Sequence, residues 1–207
     1  GTHLAPPLVT TRIVYVGTGR YLGTSDLADP GAASGIAWQQ SIYGIRDQLD
    51  NPRAGFDPTL SFRTAGVANV VAQTLQAVLA DRTISSNAVN WATQDGFYID
   101  LSPGGTGPGE RVTLDVRLVQ GSLIVTSNIP TLGGVCVAGG SSFQYALDYK
   151  TGGYVGNVTT AGKYLSEFLV GAAIEQTSDH TIKALNKAIG GENITTPIPI
   201  TVRFEGR

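Results

Sequence analysis

Residues 12–47 read RIVYVGTGRYLGTSDLADPGAASGIAWQQSIYGIRD. The β-branched and aromatic run 13–16 predicts a strand that relaxes into a loop at Gly17 and Gly19. A dinucleotide-binding motif also places glycines after a strand, but it needs a helix directly after them to hold a pyrophosphate. Residues 23–35 read GTSDLADPGAASG, and their Gly and Pro content breaks such a helix. We therefore interpret 12–47 as a strand, a polar loop and a returning strand at 41–46.

The composition describes an ordered protein with many turns. At 207 residues and 42% apolar content, the chain is long enough to bury a sizeable core. Only 14% of its residues are charged, below the roughly 25% of an average domain, and it contains 27 Gly and 10 Pro. The 14 Lys and Arg are dispersed and the net charge is −2, so no basic field for nucleic acid is expected. This balance favours an extracellular β-protein.

The sequence also limits membrane and cysteine chemistry. No apolar run approaches the roughly 20 residues of a membrane helix, so no membrane span is expected. The chain has no Met and starts at Gly1, from which we expect an internal or processed segment with a tag remnant or linker at 1–11. Cys136 is the only cysteine, which excludes an internal disulfide and a cysteine-based zinc site. Whether Cys136 is bridged to another chain stays open.

Short strand-like runs separated by turn residues recur along the whole chain. No linker divides them, so we predict one all-β domain over 1–207. The strand spacing suits a sandwich or a propeller. The predicted strands are 13–16, 41–46, 96–101, 111–118, 122–128, 143–149 and 198–204.

The most clearly patterned pair of strands is 111–118 with 122–128. Apolar residues at 112, 114, 116 and 118 alternate with polar ones, which predicts one buried face. Gln120 and Gly121 predict the turn between the two strands. The run 123–125 is apolar without alternation, so this strand is expected to be covered on both faces.

Two segments have patterns that fit more than one structure. In 69–82 the apolar residues Val71, Leu75, Val78 and Leu79 have helical spacing. Residues 161–190 contain two runs that fit short helices ending at glycine or equally strands. On pattern alone the first segment is a helix and the second stays open.

Candidate catalytic and metal-binding residues are few. A Ser-His-Asp system would have to use His180, which lies in the polar turn TSDHT and follows no nucleophile elbow. The acidic loop 47–57 carries oxygen donors, but their spacing does not match a calcium loop of the EF-hand type. We interpret this loop as a solvated turn, and we assign no catalytic, cofactor-binding or metal-binding residue.

Several motifs occur in the order found in one known family. The chain resembles the C-terminal β-propeller of the PilY/PilC family of type IV pilus biogenesis factors and tip adhesins. The resemblance covers residues 12–152 and fades after Gly152. The matching motifs are VYVGTGRYLG (14–23), SDL (25–27), QSIYGI (40–45), NAVNW (87–91), GFYIDL (96–101), GERV (109–112), the Cys/Gly-rich loop 136–142 and DYKTG (148–152).

The resemblance implies structural expectations beyond those drawn from the residues. It implies an extended chain at 69–82, which we adopt over the helical pattern. With blades of roughly 40–45 residues, the chain forms about four blades or fewer, the last part of a propeller completed by the remaining blades of the parent or by a partner. The family's acidic calcium loop has no match in this segment. No cofactor is therefore expected here, and calcium is expected only elsewhere in the parent protein.

The resemblance implies a non-enzymatic structural and interaction module at the pilus tip. Such a module acts in pilus assembly, retraction balance and surface adhesion, and it reaches the cell surface through the periplasm and outer membrane. The implied partners are minor pilins, the pilus tip complex and host or surface ligands. No individual binding residue follows from the resemblance.

Two other functions remain as alternatives. One is a propeller dehydrogenase with a quinone cofactor, although Trp38 and Trp91 are the only tryptophans and a single cysteine forms no vicinal disulfide. The other is a carbohydrate-binding propeller, which needs exposed aromatic side chains on one face. The candidate aromatic residues are Tyr21, Tyr43, Tyr98 and Tyr154.

Overall fold

The computed structural model describes residues 12–19, 39–47, 63, 70–102, 109–131, 139–179 and 181–200. These residues contain strands and no helix, which confirms the all-β prediction. None of them forms a helix long and apolar enough to cross a membrane. The strands are β1 Ile13–Gly17, β2 Ser41–Arg46, β3 Val70–Gln73, β4 Leu75–Val78, β5 Asp81–Ile84, β6 Gly96–Asp100, β7 Arg111–Val112, β8 Arg117–Val119, β9 Ser122–Pro130, β10 Gly140–Asp148, β11 Thr160–Leu165, β12 Leu169–Gln176, β13 Ile182–Ala188 and β14 Asn193–Ile198.

The two strands that we infer within residues 12–47 form the start of the first sheet, sheet A, and the predicted loop at 20–38 lies outside the described residues. Its strand order is β1-β2-β6-β3, and only β3 runs parallel to its neighbour. β1 and β2 pair antiparallel, with Ile13 opposite Arg46 and Gly17 opposite Ile42. An antiparallel return confirms the interpretation drawn from the sequence, because strands joined by a crossover helix are parallel.

The second sheet, sheet B, has the order β4-β5-β11-β10-β9-β7, and β8 also pairs with β9. Its central strands β9 and β10 are paired at every position from Ser122 opposite Asp148 to Pro130 opposite Gly140. The predicted turn at Gln120 and Gly121 joins β8 to β9 with φ angles of 44° and 82°. Two positive φ angles characterise the type I′ turn, whose twist matches that of the hairpin strands.

The third sheet, sheet C, contains β12, β13 and β14 in that order. Burial alternates along β13, so Ile182, Ala184, Asn186 and Ala188 face inward. Residues 161–190 thus form strands, and the alternative of short helices is wrong.

Sheet B is the middle layer and packs against a sheet on each face. Leu123 and Val125 join a core that contains Phe97 of sheet A. Ile124, between them in β9, points to the opposite face and packs with Ala184 of sheet C. The prediction that 123–125 is covered on both faces is confirmed, since all three side chains are buried.

A glycine sets the distance between sheets A and B at the end of β1. A Cβ built on Gly17 would lie 2.4 Å from Cγ1 of Val112, closer than any real contact. The backbone N–H of Val112 donates to the carbonyl of Thr18 across the same contact, at 3.0 Å. Glycine is therefore required because β7 lies directly against β1 at this point.

Two predicted strands are wrong in their extent. The strand predicted at 111–118 is divided into β7 and β8, because the chain leaves the ladder at 113–116 so that Leu114 and Val116 pack in different cores. The strand predicted at 198–204 instead ends at Ile198, because Pro199 has no N–H to donate. Residues 201–204 lie outside the described residues.

Within the segment 69–82, the described residues 70–82 are extended apart from one turn, as the resemblance implies. Val70–Gln73 belongs to sheet A and Leu75–Val78 to sheet B, so the chain passes between sheets at Thr74. The helical spacing of the apolar residues in this segment is accidental, because these residues belong to two short strands in different sheets and do not share one face.

Candidate functional site

A buried charged cluster lies at the centre of sheet B. Arg82 of β5 forms a salt bridge with Glu110, whose carboxylate is fully buried. The hydroxyls of Tyr145 and Ser127 both donate to Oε1 of Glu110, at 2.7 and 2.5 Å. The guanidinium of Arg82 also lies 3.7 Å from the ring centre of Phe143, in a cation–π contact. The cluster therefore connects β5, β9 and β10 to the chain just before β7.

The chemistry of this cluster is that of a structural centre. Burial and then the negative charge of Glu110 raise the pKa of Tyr145 well above its ordinary value, so Tyr145 stays protonated and donates. Four groups donate to the carboxylate of Glu110: Arg82, Ser127, Tyr145 and the backbone N–H of Ser102. A fully buried carboxylate with this many donors holds the strands that supply them together.

A cavity of about 470 Å³ opens between sheets B and C. Its lining is mainly apolar and comes from β10, β11 and β14 together with residues next to them. The lining residues are Asp81, Gln144, Ala146, Val158, Thr160, Ala161, Lys163, Thr196, Pro197, Ile198 and Pro199.

Four polar side chains that line this cavity are held by hydrogen bonds within the protein. Lys163 donates to Asp81 at 2.8 Å, so the two charges neutralise each other. At the buried end, the side-chain amide of Gln144 donates to Asn186 at 2.7 Å, and Thr196 bonds to both of them. The cavity is thus suited to an uncharged apolar group rather than to an ion.

Two of the tyrosines named for carbohydrate binding lie side by side on the outer face of sheet A. The ring centres of Tyr43 and Tyr98 are 6.3 Å apart. The guanidinium of Arg63 lies 4.1 Å from the ring centre of Tyr98 and bonds to Asp100 at 2.5 Å. Arg63 therefore occupies the ring face that a sugar would need for stacking.

The structure separates the other residues named from the sequence. Tyr154 and Trp91 pack against the core, and the indole N–H of Trp91 donates to the carbonyl of Lys150 at 3.1 Å. In the described part of the chain, no cluster of three or more acidic, histidine or cysteine side chains is placed to hold a metal. Several residues named from the sequence lie outside the described ranges: Tyr21, Trp38, Cys136, His180 and 48–57.

The charged cluster was not found by reasoning from the sequence. Its four bonded residues are widely separated, since Arg82 precedes Glu110 by 28 positions and Tyr145 follows it by 35. The one signal was the GERV motif, which contains Glu110 and which the resemblance singled out without giving it a role.

Comparisons with known proteins agree on one family. No family model matches the chain. The chain is 33% identical over 158 residues to the type IV pilus biogenesis factor PilY1 of Pseudomonas aeruginosa. This match covers 68% of the chain and 13% of the relative. The chain is also 32% identical over 145 residues to a PilY1 homologue of Xylella fastidiosa, covering 69% of this chain and 10% of that protein. The crystal structure of the P. aeruginosa PilY1 C-terminal domain has a TM-score of 0.64 and 24% identity, and the match covers 93% of this chain and 43% of that domain.

The fold is therefore all-β and forms part of a β-propeller. Its sheets supply a layered scaffold, and its buried polar residues serve that scaffold. The chain belongs to the PilY1 family of type IV pilus biogenesis factors and corresponds to part of the C-terminal region. It spans only about an eighth of the length of the Pseudomonas relative, of which it covers 13%.

Proposed function

We propose that the chain is a non-enzymatic interaction module of a type IV pilus tip-associated protein. In this role it acts in pilus assembly, in the balance between extension and retraction, and in surface adhesion. The observation that carries the proposal is the identity of 33% over 158 residues to a protein named as a type IV pilus biogenesis factor. The proposed location is the cell surface at the pilus tip, reached through the periplasm and outer membrane.

The scaffold supports a binding role. Its three packed sheets form a scaffold of paired strands, and loops displayed on such scaffolds commonly carry binding surfaces. Its buried carboxylate, Glu110, is bonded to Arg82, and the side chain of Arg82 also lines a cavity of about 300 Å³ beside Asp100 and Ser102. The proposed partners are minor pilins and the tip complex, host or surface ligands, and the remaining blades of the parent propeller.

The alternatives have weaker support in the described residues. Stacking of a sugar on Tyr98 competes with Arg63, which lies on that ring. For a quinone enzyme the described residues supply no observation in favour: the cavity between sheets B and C is lined largely by Ala, Val, Ile and Pro, and its two charged residues, Asp81 and Lys163, bond to each other. Interaction with other proteins is thus the function that the geometry supports best.

The test is a deletion in the organism that carries the gene. The segment that encodes this chain is removed from the parent gene, and the wild-type gene is restored as a control. Surface pili are counted by electron microscopy, and twitching motility and attachment are measured. We expect fewer surface pili with loss of twitching and attachment. Normal values for all three without the segment would show that the proposed function is wrong.

A further inference from the structure

Sheet C has the two different faces of an outer layer. Its inward face includes Ile182, Ala184 and Asn186, which are all buried. Its opposite face carries polar side chains that are exposed or half-buried, among them Glu175, Lys183, Lys187, Asn193 and Thr195. An antiparallel sheet of this kind packs on its apolar face and meets water on the other. The contacts with sheet B therefore hold sheet C in its position.

One end of sheet C is fastened to sheet B by buried side chains. Nδ2 of Asn128 donates to the carbonyl of Leu169 at 2.9 Å, and its Oδ1 accepts from the N–H of Leu169 at 3.1 Å. The hydroxyl of Ser142 donates to the carbonyl of Glu167 at 2.7 Å. Asn128 and Ser142 are fully buried, and Leu169 packs with Ala188 at the same end. We call the bonds of Asn128 and Ser142 to residues 167–169 the clamp.

The opposite end of sheet C is packed less closely. The cavity of about 470 Å³ lies there, between β10 and β11 on one side and the end of β14 with Pro199 on the other. Beside the cavity the two sheets meet through the hydrogen-bonded side chains of Gln144, Asn186 and Thr196. The hydroxyl of the fully buried Ser122 donates to the carbonyl of Pro199. We call this last bond the latch, because it joins the start of β9 to the chain just after β14.

The contact beside the cavity is easier to separate than the one between sheets A and B. The core between sheets A and B contains aromatic residues such as Phe97, whereas Ala146 and Ala184 belong to the core beside the cavity. Alanine side chains bury little apolar surface, so separating them costs little hydrophobic free energy. The amides of Gln144 and Asn186 would bond to water after separation, which offsets the loss of their bonds to each other.

We propose that sheet C is a hinged layer over the cavity. It turns on the clamp, and its end at Pro199 lifts from sheet B. Lifting breaks the latch and the bond between Gln144 and Asn186, and it converts the cavity into an open groove. Local opening of this kind needs less free energy than unfolding of the whole domain. The motion breaks contacts within this chain, so it does not depend on which partner the module binds.

The experiment measures how fast a buried thiol becomes accessible at each end of sheet C. Ala184→Cys and Ala188→Cys are made separately in the parent protein. Both alanines lie on the inward face of β13, with exposures of 0% and 2%, and Cys is a small apolar residue that suits such positions. Ala188 packs with Leu169 at the clamp, whereas Ala184 packs with Ile198 beside the cavity. The folded protein is incubated with a maleimide, and the labelled peptides are quantified by mass spectrometry.

We expect Ala184→Cys to be labelled about tenfold faster than Ala188→Cys or more, because only the end at Pro199 lifts. Ser122→Ala removes the latch and should speed labelling at position 184 by about two- to tenfold, with no change at 188. The control Ser41→Ala removes the bond of another buried serine, to Asp100 in sheet A, and should change neither rate. The thermal midpoint of each variant checks that the protein is folded during labelling.

Three results would overturn the proposal. The first is an equal rate at positions 184 and 188, which means that sheet C does not turn on the clamp. The second is an unchanged rate at 184 after Ser122→Ala. The third is an equal acceleration by Ser41→Ala, which means that the labelling follows unfolding of the whole domain.

Discussion

Replacing Glu110 by Gln tests the central charged cluster. The substitution keeps the size of the side chain but removes the negative charge that faces Arg82. In the folded protein, Glu110 is fully buried and the side chain of Arg82 is only 12% exposed. The arginine would therefore keep its charge in a site with little access to water and with no counter-ion from Glu110.

Removing one partner of a buried ion pair typically destabilises a protein by about 3–5 kcal/mol. We expect the lower end, about 3 kcal/mol, because the remaining exposure of Arg82 and its contact with Phe143 partly compensate the charge. For a domain of this size, 1 kcal/mol corresponds to roughly 2–4 °C in the thermal midpoint. Glu110→Gln should therefore lower the midpoint by roughly 6–12 °C.

The assay is thermal and urea unfolding at pH 7, followed by circular dichroism. The matched control is Asp100→Asn, which breaks the exposed pair with Arg63, where the side chains are 39% and 35% exposed. An exposed pair contributes about 1 kcal/mol or less. If Glu110→Gln destabilises the protein no more than Asp100→Asn does, the cluster is not the structural centre described above.

Three further measurements test other parts of the structure. Gly17→Ala should lower the free energy of unfolding, measured in urea, by about 1–3 kcal/mol, because its Cβ would collide with Val112. The control Gly190→Ala, with open space around it, should change this free energy little. Equal effects of the two substitutions would contradict this packing. Burial acts to raise the pKa of Asp81, but the bond from Lys163 lowers it below its ordinary 3.8. The stabilisation from the Asp81–Lys163 pair is therefore present above about pH 4 and lost below it. Asp81→Asn should unfold at a lower temperature than the wild type at pH 7, and the two thermal midpoints should converge as the pH falls. A difference between the midpoints that stays constant with pH would refute the role given to this pair. Calcium and a chelator should give the same thermal midpoint, and a calcium-dependent rise would place a calcium site in this chain.

The predictions that succeeded rest on local chemistry. Gln120 and Gly121 predicted a hairpin turn, because few residue pairs tolerate two positive φ angles. In the structure both φ angles are positive. The unbroken apolar run 123–125 predicted a strand between two layers, because apolar side chains on both of its faces must be buried, and all three are.

The predictions that failed depended on which sheet a residue joins. Leu118 continues the alternation of Val112, yet it is 53% exposed, because the chain leaves the ladder between them and the two residues no longer share a face. Partners such as Gln144 and Asn186 are 42 positions apart and meet only when sheets B and C pack. Spacing along the chain carries no information about such contacts.

The amide protons of the paired strands β9 and β10 can be used to measure the stability of the fold. Their register is unbroken over nine residue pairs, and a sheet covers each face of the sheet they lie in. In deuterated water, the amide protons of such a ladder exchange only when the whole domain unfolds, whereas those of exposed turns exchange through local opening. Their exchange rates therefore report the global free energy of unfolding without denaturant, at the level of single residues and in the same sample that binds a partner.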